Sequence, residues 1–251
     1  MIDLEIGLSD NLPDFLKTGI KVFSESLKAE LGENISTLML YGDLAQGIYA
    51  PHFFRSDLLL VVDSASPETL ARIAPIVRQA MKEIRLNLMI LTPEDLQCSC
   101  DVFPIKFLDM QQQHVLLHGQ NLFSELEITD QHLRLRCEQE LKNMLLRLRN
   151  FYLLRQQYPD MLLSSLEGRL SSFLLNLKVL LTLHHQDIPK NQSDLLQMAA
   201  RQFGFDPTPF VDLLKVKQGL TSPTSDEIQH IYNAFLTTLE KLALIADRLE
   251  V

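Results

Sequence analysis

The chain contains no tryptophan, and aromatic residues make up only 7% of its 251 residues. Proteins that bind single-stranded nucleic acid stack its bases on aromatic side chains, so this scarcity does not favour such a platform. The formal net charge of −9 points the same way, because the phosphate backbone is attracted to basic surfaces. We therefore expect no nucleic-acid partner.

Cysteine is also scarce, with residues only at positions 98, 100 and 137. An odd number cannot form a closed disulfide framework, and no second cysteine or histidine pair follows at the spacing of a zinc site. Free thiols of this kind are typical of a reducing compartment. We expect a cytoplasmic protein without structural disulfides or zinc.

Long hydrophobic runs are missing as well. The most apolar stretch, residues 173–183, is interrupted by Asn176 and Lys178 and is too short to cross a bilayer. Residues 1–5 are acidic and lack the basic and then apolar pattern of a secretory signal. We expect no membrane partner.

Catalytic and cofactor signatures with short, fixed spacings are not found. The sequence has no glycine-rich dinucleotide loop, P-loop, nucleophile elbow or His-Glu-x-x-His zinc motif. None of these motifs therefore indicates a catalytic residue or a cofactor.

Helical and extended patterns alternate up to about residue 120. Three apolar runs predict strands covered on both faces, at 37–41, 58–62 and 86–91. Helices are predicted at 14–31 and at 67–84, and a short one follows Thr92. Residues 103–110 and 115–117 fit neither pattern cleanly. This half is expected to form a mixed sheet with packed helices.

The second half reads as almost purely helical. Proline and glycine divide it into five predicted helices, at 130–157, 160–185, 193–204, 207–219 and 224–251. Short connections between such helices predict a bundle. We therefore expect two domains, an α/β domain over 1–125 and an all-helical domain over 126–251.

Two segments carry the strongest functional pattern. Residues 38–47 read LMLYGDLAQG, an apolar strand and a glycine turn, and residues 56–62 read SDLLLVV, a second strand. This order resembles the nucleotidyltransferases of the polymerase-beta-like superfamily, in which Gly-Ser ends one strand and Asp-x-Asp opens the next. The resemblance extends over residues 36–120 and implies a nucleotidyltransferase-like α+β fold.

The resemblance implies a chemistry as well. Such enzymes hold Mg²⁺ and a nucleoside triphosphate, and two metal ions stabilise the negative charge of the transferring phosphoryl group. Carboxylates at i and i+2 of a strand lie on one face and can hold both ions. The glycine turn lets backbone N–H groups approach the triphosphate.

The sequence departs from this pattern at three positions. Leu59 replaces the second carboxylate, Asp43 stands where the family has serine, and Asn87 is the only polar residue on the third strand. We expect a vestigial nucleotide pocket and assign no catalytic residue. If the pocket binds a metal ion, Asp57 is the expected ligand. The expected pocket residues are Gly42, Asp43, Gly47, Ser56 and Asp57.

Plainer roles for these acids remain open. Asp43 is expected to cap the short helix that follows it, because aspartate is a preferred N-cap, and Asp57 can pair with Arg55. A rearranged metal site is the alternative. It would draw on Asp43, Asp57, Asp63, Asp101 and Asp109.

The helical half resembles the HEPN-like or substrate-binding domains that accompany such nucleotidyltransferases, but it lacks the Arg and His spacing of HEPN ribonucleases. Basic residues along its first helix either face a phosphate or form a solvated flank with pairs such as Glu138 and Lys142. We favour the flank. The residues are Arg134, Arg136, Lys142, Arg147, Arg149 and Arg155.

Two further features of the helical half concern its second helix. A strip of small residues serves either internal packing or a homodimer seam, and it comprises Ser164, Gly168, Ser171 and Ser172. His184 and His185 are expected to close the helix, because cations suit a helix C-terminus.

The function expected from these patterns is that of a nucleotidyltransferase-like protein without full activity. It would bind a nucleotide or a protein partner as a regulatory module. One alternative is an active Mg²⁺-dependent nucleotidyltransferase with a rearranged site. The other is a structural subunit that forms a homodimer through its helical half.

Overall fold

A computed structural model of the chain describes residues 7–189 and 191–251. The chain divides into two compact units, Met1–Glu127 and Ile128–Val251. The first is an α/β unit and the second is all-helical, as predicted.

The α/β unit is built on a four-stranded mixed sheet of order β3-β2-β1-β4. Strand β1 runs antiparallel to both β2 and β4, whereas β2 and β3 are parallel. The strands are β1 (Ile35–Tyr41), β2 (Ser56–Val62), β3 (Leu86–Leu91) and β4 (His114–Gly119), and the helices are α1 (Asp14–Leu31), α2 (Pro67–Glu83), α3 (Pro93–Cys98) and α4 (Pro104–Gln112). The predicted mixed sheet with packed helices is confirmed.

One face of this sheet forms the core with α1 and α2. Side chains alternate along a strand, so Leu38 and Leu40 of β1 share a face with Leu58 and Leu60 of β2. All four are fully buried. The apolar stripe of α1 packs onto the same core, through Leu16, Ile20, Phe23 and Leu27.

The segment that fitted neither pattern contains α4 and the edge strand β4. Pro104 is at the start of α4. The first backbone N–H groups of a helix make no hydrogen bond within it, so the N–H that proline lacks is not needed there. Ile105, Phe107 and Met110 are buried, which holds this short helix in place. Strand β4 then pairs with β1, which lies over seventy residues earlier in the sequence. A local sequence pattern therefore does not predict this strand.

The all-helical unit contains the five predicted helices, in the part of the chain that the structure describes. They are α5 (Asp130–Arg155), α6 (Pro159–Leu183), α7 (Gln192–Phe203), α8 (Thr208–Lys217) and α9 (Ser225–Arg248). The rings of Phe173, Phe210 and Phe235 meet at its centre, with centroids 4.7 to 5.3 Å apart. None of the described helices is long and apolar enough to cross a membrane.

Helix ends in this unit follow the expected capping rules. Thr224 and Glu227 form a reciprocal capping box at the start of α9. His184 is the C-cap residue of α6, and its Nδ1 lies 2.7 Å from the carbonyl oxygen of Leu180. The helix therefore ends at the predicted histidine pair, with His184 in the cap position.

Candidate functional site

The candidate site lies at one end of the sheet, where β1 ends and β2 and β3 begin. Antiparallel pairing places Tyr41 opposite Asp57 and also opposite His114. Parallel pairing places Asn87 beside Asp57. Directly paired residues share a face of the sheet, so the register brings four polar side chains from four strands into one row.

Asp57 is the most constrained group of this row. Its Oδ1 accepts hydrogen bonds from Nε of Arg55 at 2.7 Å and from Nδ2 of Asn87 at 2.5 Å, and its Oδ2 accepts from Nη2 of Arg55 at 3.2 Å. The carboxylate side chain is 13% exposed, whereas that of Arg55 is 62% exposed. Both carboxylate oxygens are therefore bound by the protein's own donors, and the pairing expected between Arg55 and Asp57 is present.

Gly42 lies directly against this carboxylate. Its backbone has φ of 75° and ψ of −153°, a conformation that residues with a Cβ rarely adopt. A Cβ built at this position would lie 3.4 Å from Oδ2 of Asp57. Glycine thus allows the chain to turn sharply at the end of β1 while its backbone stays close to Asp57.

Gly47 closes the same turn at its other end. Its φ is 73°, and its N–H donates to carbonyl oxygens at the start of the turn. The atoms nearest to a Cβ at this position belong to Ser9 and Asn11. Gly47 therefore shapes the loop and packs against the segment before α1.

The expectation that Asp43 caps the short helix is wrong. Asp43 is itself the first residue of a 3-10 turn, Asp43–Gln46, and Gly42 holds the N-cap position without any side-chain cap. The backbone carbonyl of Asp43 accepts a hydrogen bond from the N–H of Ile48. The turn is therefore closed by its backbone and by left-handed glycines.

Ser56 is close to Asp57 in sequence but faces the opposite side of the sheet. Its hydroxyl is fully buried and donates to the carbonyl oxygen of Ile84 at 2.7 Å. The same face carries Leu58 and Leu60 of the core. The structure therefore brings Gly42 and Asp57 together and places the Ser56 side chain apart from them.

Tyr41 is held as a neutral phenol. Burial raises the pKa of its hydroxyl well above the ordinary value, and the negative charge of Asp57 raises it further. Arg55 lowers this pKa by less than Asp57 raises it, and Asp109 adds a still smaller rise. Asp109 lies on α4, so this helix stands near the end of β1. The tyrosine can donate or accept a hydrogen bond there, but it cannot serve as a base near neutral pH.

The residues at this end of the sheet do not fit the metal pair that the family pattern implies. Leu59 takes the place of the second carboxylate, is fully buried, and lies between Met39 and Met89 in the register. Asn87 takes the place of an acid on β3 and donates to Asp57 instead. Within residues 7–189 and 191–251, no three His, Cys, Asp or Glu side chains are grouped so as to hold a metal ion.

Asp63 does not belong to the rearranged site that the sequence left open. It follows the last residue of β2 and accepts a hydrogen bond from Oγ of Ser36, at the other end of the sheet. Six residues of extended strand span roughly 20 Å, so Asp63 and Asp57 cannot share a metal ion.

Most basic residues of α5 are engaged by acids of the same unit. Lys142 and Arg134 both pair with Glu138, and Arg136 pairs with Glu140. Arg149 pairs with Glu240. The predicted pair of Glu138 and Lys142 is present, which favours the interpretation of this face as a solvated flank.

The small-residue strip on α6 is largely exposed. Ser164, Gly168 and Ser172 are open to solvent, and a Cβ at Gly168 would meet nothing within 4 Å. Ser171 is half-buried and accepts a hydrogen bond from Nζ of Lys217 at 2.6 Å. Internal packing therefore does not account for the strip.

Sequence reasoning missed part of the polar row. Tyr41 reads as an ordinary strand residue and His114 lies outside every predicted element, and only the register of β1 with its two neighbours joins them to Asp57. Asn87 carried a signal, since it is the one polar residue in an otherwise apolar strand. A half-buried amide in such a strand favours a hydrogen-bond partner, and Asp57 is that partner.

No protein-family model and no curated protein sequence matches the chain. Among solved structures, it is similar to the crystal structure of spectinomycin adenyltransferase AAD(9) from Enterococcus faecialis with ATP and spectinomycin. The TM-score is 0.52 and the identity is 13%, over 87% of this chain and 98% of that chain. The likeness is one of fold, and it confirms the expected nucleotidyltransferase-like sheet followed by a helical domain.

Proposed function

We propose that the protein binds a nucleotide at the Gly42 and Asp57 end of its sheet and has lost nucleotidyl transfer, so that it acts as a regulatory module. The observation that carries this proposal is the state of Asp57. Both of its oxygens are bound by Arg55 and Asn87, and the next position on the same face is the buried Leu59.

The chemistry explains why this arrangement argues against transfer. Two divalent ions stabilise the charge that develops on the transferring phosphoryl group and its leaving pyrophosphate, and hard carboxylate oxygens hold them. Of the strand carboxylates that the family pattern implies, Asp57 alone remains, and its charge is balanced by a guanidinium 2.7 Å away. A cation that displaced Arg55 would have to find its other ligands outside β2 and β3.

The location and assembly of the protein complete this proposal. All three cysteines are free, which suits the cytoplasm. The exposed strip of Ser164, Gly168 and Ser172 on α6 is suited to a close helix contact with a second copy. A homodimer through the helical half is therefore the assembly we propose.

The test combines a transfer assay with a binding assay. The full chain is incubated with ATP or GTP and Mg²⁺, and pyrophosphate release and labelling from the α-phosphate are followed beside calorimetric titration of the same nucleotides. We expect binding without transfer. Transfer that requires Mg²⁺ and disappears in Asp57→Ala would overturn the loss of activity, and the absence of any nucleotide binding would overturn the binding role.

A further inference from the structure

We infer that the site takes the phosphate groups of a nucleotide without a divalent cation, with the Arg55 guanidinium in the role that the family gives to a metal ion. The inference rests on the nucleotide binding proposed above and adds how the charge of the phosphates is met. Its basis is the disagreement between the residues present and the metal pair that the fold implies.

Arg55 is anchored at its base and open at its tip. Asp57 accepts from Nε and from one N–H of Nη2, which leaves three of the five guanidinium N–H donors directed away from the carboxylate. The side chain is 62% exposed although its partner is 13% exposed. A guanidinium that is bound to a carboxylate along one edge presents its remaining donors in a fixed plane. Phosphate oxygens accept paired hydrogen bonds from donors in this arrangement.

A second arginine, Arg85, precedes strand β3 at the same position as Arg55 precedes strand β2. Ser56 and Leu86 are the first paired residues of the parallel strands β2 and β3, so Arg55 and Arg85 each precede the first pair by one position. Neighbouring strands lie about 4.8 Å apart. The two cationic residues therefore start side by side, one on each strand.

Arg85 also holds the segment that carries Arg55. Its Nη1 donates to the carbonyl oxygen of His52 at 3.0 Å, and its guanidinium carbon lies 4.5 Å from the centre of the Phe54 ring. The backbone of Arg85 has φ of 49°, a left-handed conformation that glycine adopts with less strain. Through these two contacts the arginine side chain fixes residues 52–54 next to Arg55.

The Arg55 guanidinium is the cationic group that the site offers to an anion. Asp57 already balances its charge, and Asp43, on the turn after Gly42, adds a further negative charge, so the inference rests on the geometry of the guanidinium donors and not on net charge. Mg²⁺ and the Arg55 guanidinium would bind the same phosphate oxygens, so Mg²⁺ should compete with the site for the phosphates.

The experiment is calorimetric titration of the full chain with ATP, once in EDTA and once in excess Mg²⁺. We expect the affinity in EDTA to equal or exceed the affinity in Mg²⁺. Replacing Arg55 by glutamine should weaken binding by roughly tenfold or more, since it removes charge-assisted hydrogen bonds to phosphate. Arg55→Lys, which keeps the charge but loses the fork, should fall between the two.

The matched control is Arg78→Gln, which removes an exposed arginine from α2. It should leave the affinity unchanged, and equal weakening by this variant would overturn the assignment to Arg55. Circular dichroism and thermal melting of each variant establish that the fold is intact.

The two proposals fail in distinguishable ways. Binding that requires Mg²⁺ and is lost in Asp57→Ala would overturn the metal-free site and leave nucleotide binding standing. The absence of binding in EDTA and in Mg²⁺ alike would overturn nucleotide binding itself.

Discussion

Restoring the missing carboxylate by Leu59→Asp is expected to destabilise the α/β unit and to create no metal site. Leu59 is fully buried between Met39 and Met89, in the middle strands of the sheet. Truncating such a leucine to alanine removes about 2 to 5 kcal/mol of stability. The introduced carboxyl group adds about 1 to 3 kcal/mol if it stays neutral and finds no hydrogen-bond partner.

The sum is comparable to the whole stability of an ordinary domain, which is about 5 to 15 kcal/mol. Burial would raise the pKa of the introduced carboxyl in the folded state above its value in the unfolded chain. When the pKa of a group is higher in the folded state than in the unfolded state, the folded protein becomes less stable as pH rises. The variant should therefore be most stable in mild acid. Leu59→Ala lacks this pH dependence and serves as the matched control.

The assay is urea unfolding monitored by hydrogen exchange and mass spectrometry of the β2 peptide, which reports on the α/β unit alone. We expect Leu59→Asp to open at lower urea than Leu59→Ala at neutral pH, with or without Mg²⁺. Stabilisation of Leu59→Asp by Mg²⁺ that the alanine variant does not share would refute the reasoning. It would mean that this position opens onto a working metal site.

Three further predictions concern a glycine, the thiols and a helix cap. Gly119→Ala should destabilise the α/β unit far more than Gly32→Ala in thermal unfolding, because both glycines have positive φ but only the first would drive a Cβ into a β1 carbonyl. A thiol reagent should label exposed Cys98 at once and Cys137 only on unfolding, since burial raises the pKa of the Cys137 thiol. Hydrogen bonds from Thr224 lower the pKa of Glu227, so hydrogen exchange should show the start of α9 loosening as pH falls through that lowered value, and Glu227→Gln should remove this dependence.

Much of the fold could be predicted because its signals are local. The apolar runs of β1, β2 and β3 and the caps of α2 and α9 occupy short stretches of sequence. The edge strand β4 could not be predicted in this way. It reads HVLLHG after three glutamines, and only its pairing with a distant strand makes it extended.

The candidate site was less predictable, because it depends on which face of a strand each residue occupies. Asp57 and Ser56 are adjacent in sequence, yet one meets Arg55 and Asn87 and the other faces the core. The cap expected at Asp43 failed because Gly42 takes the cap position with a left-handed backbone. The role of Asn87 depends on the register of β3 with β2, which a sequence pattern does not determine.

The strand order also has a consequence for how the chain is made. Strand β1 is an interior strand, but its second neighbour β4 is synthesised roughly 70 residues later. At about 5 to 20 residues per second, the outer edge of β1 stays unpaired on the growing chain for about 4 to 14 seconds. An open, apolar strand edge can pair with other chains, so a ribosome that stalls before residue 114 would release a fragment prone to aggregate.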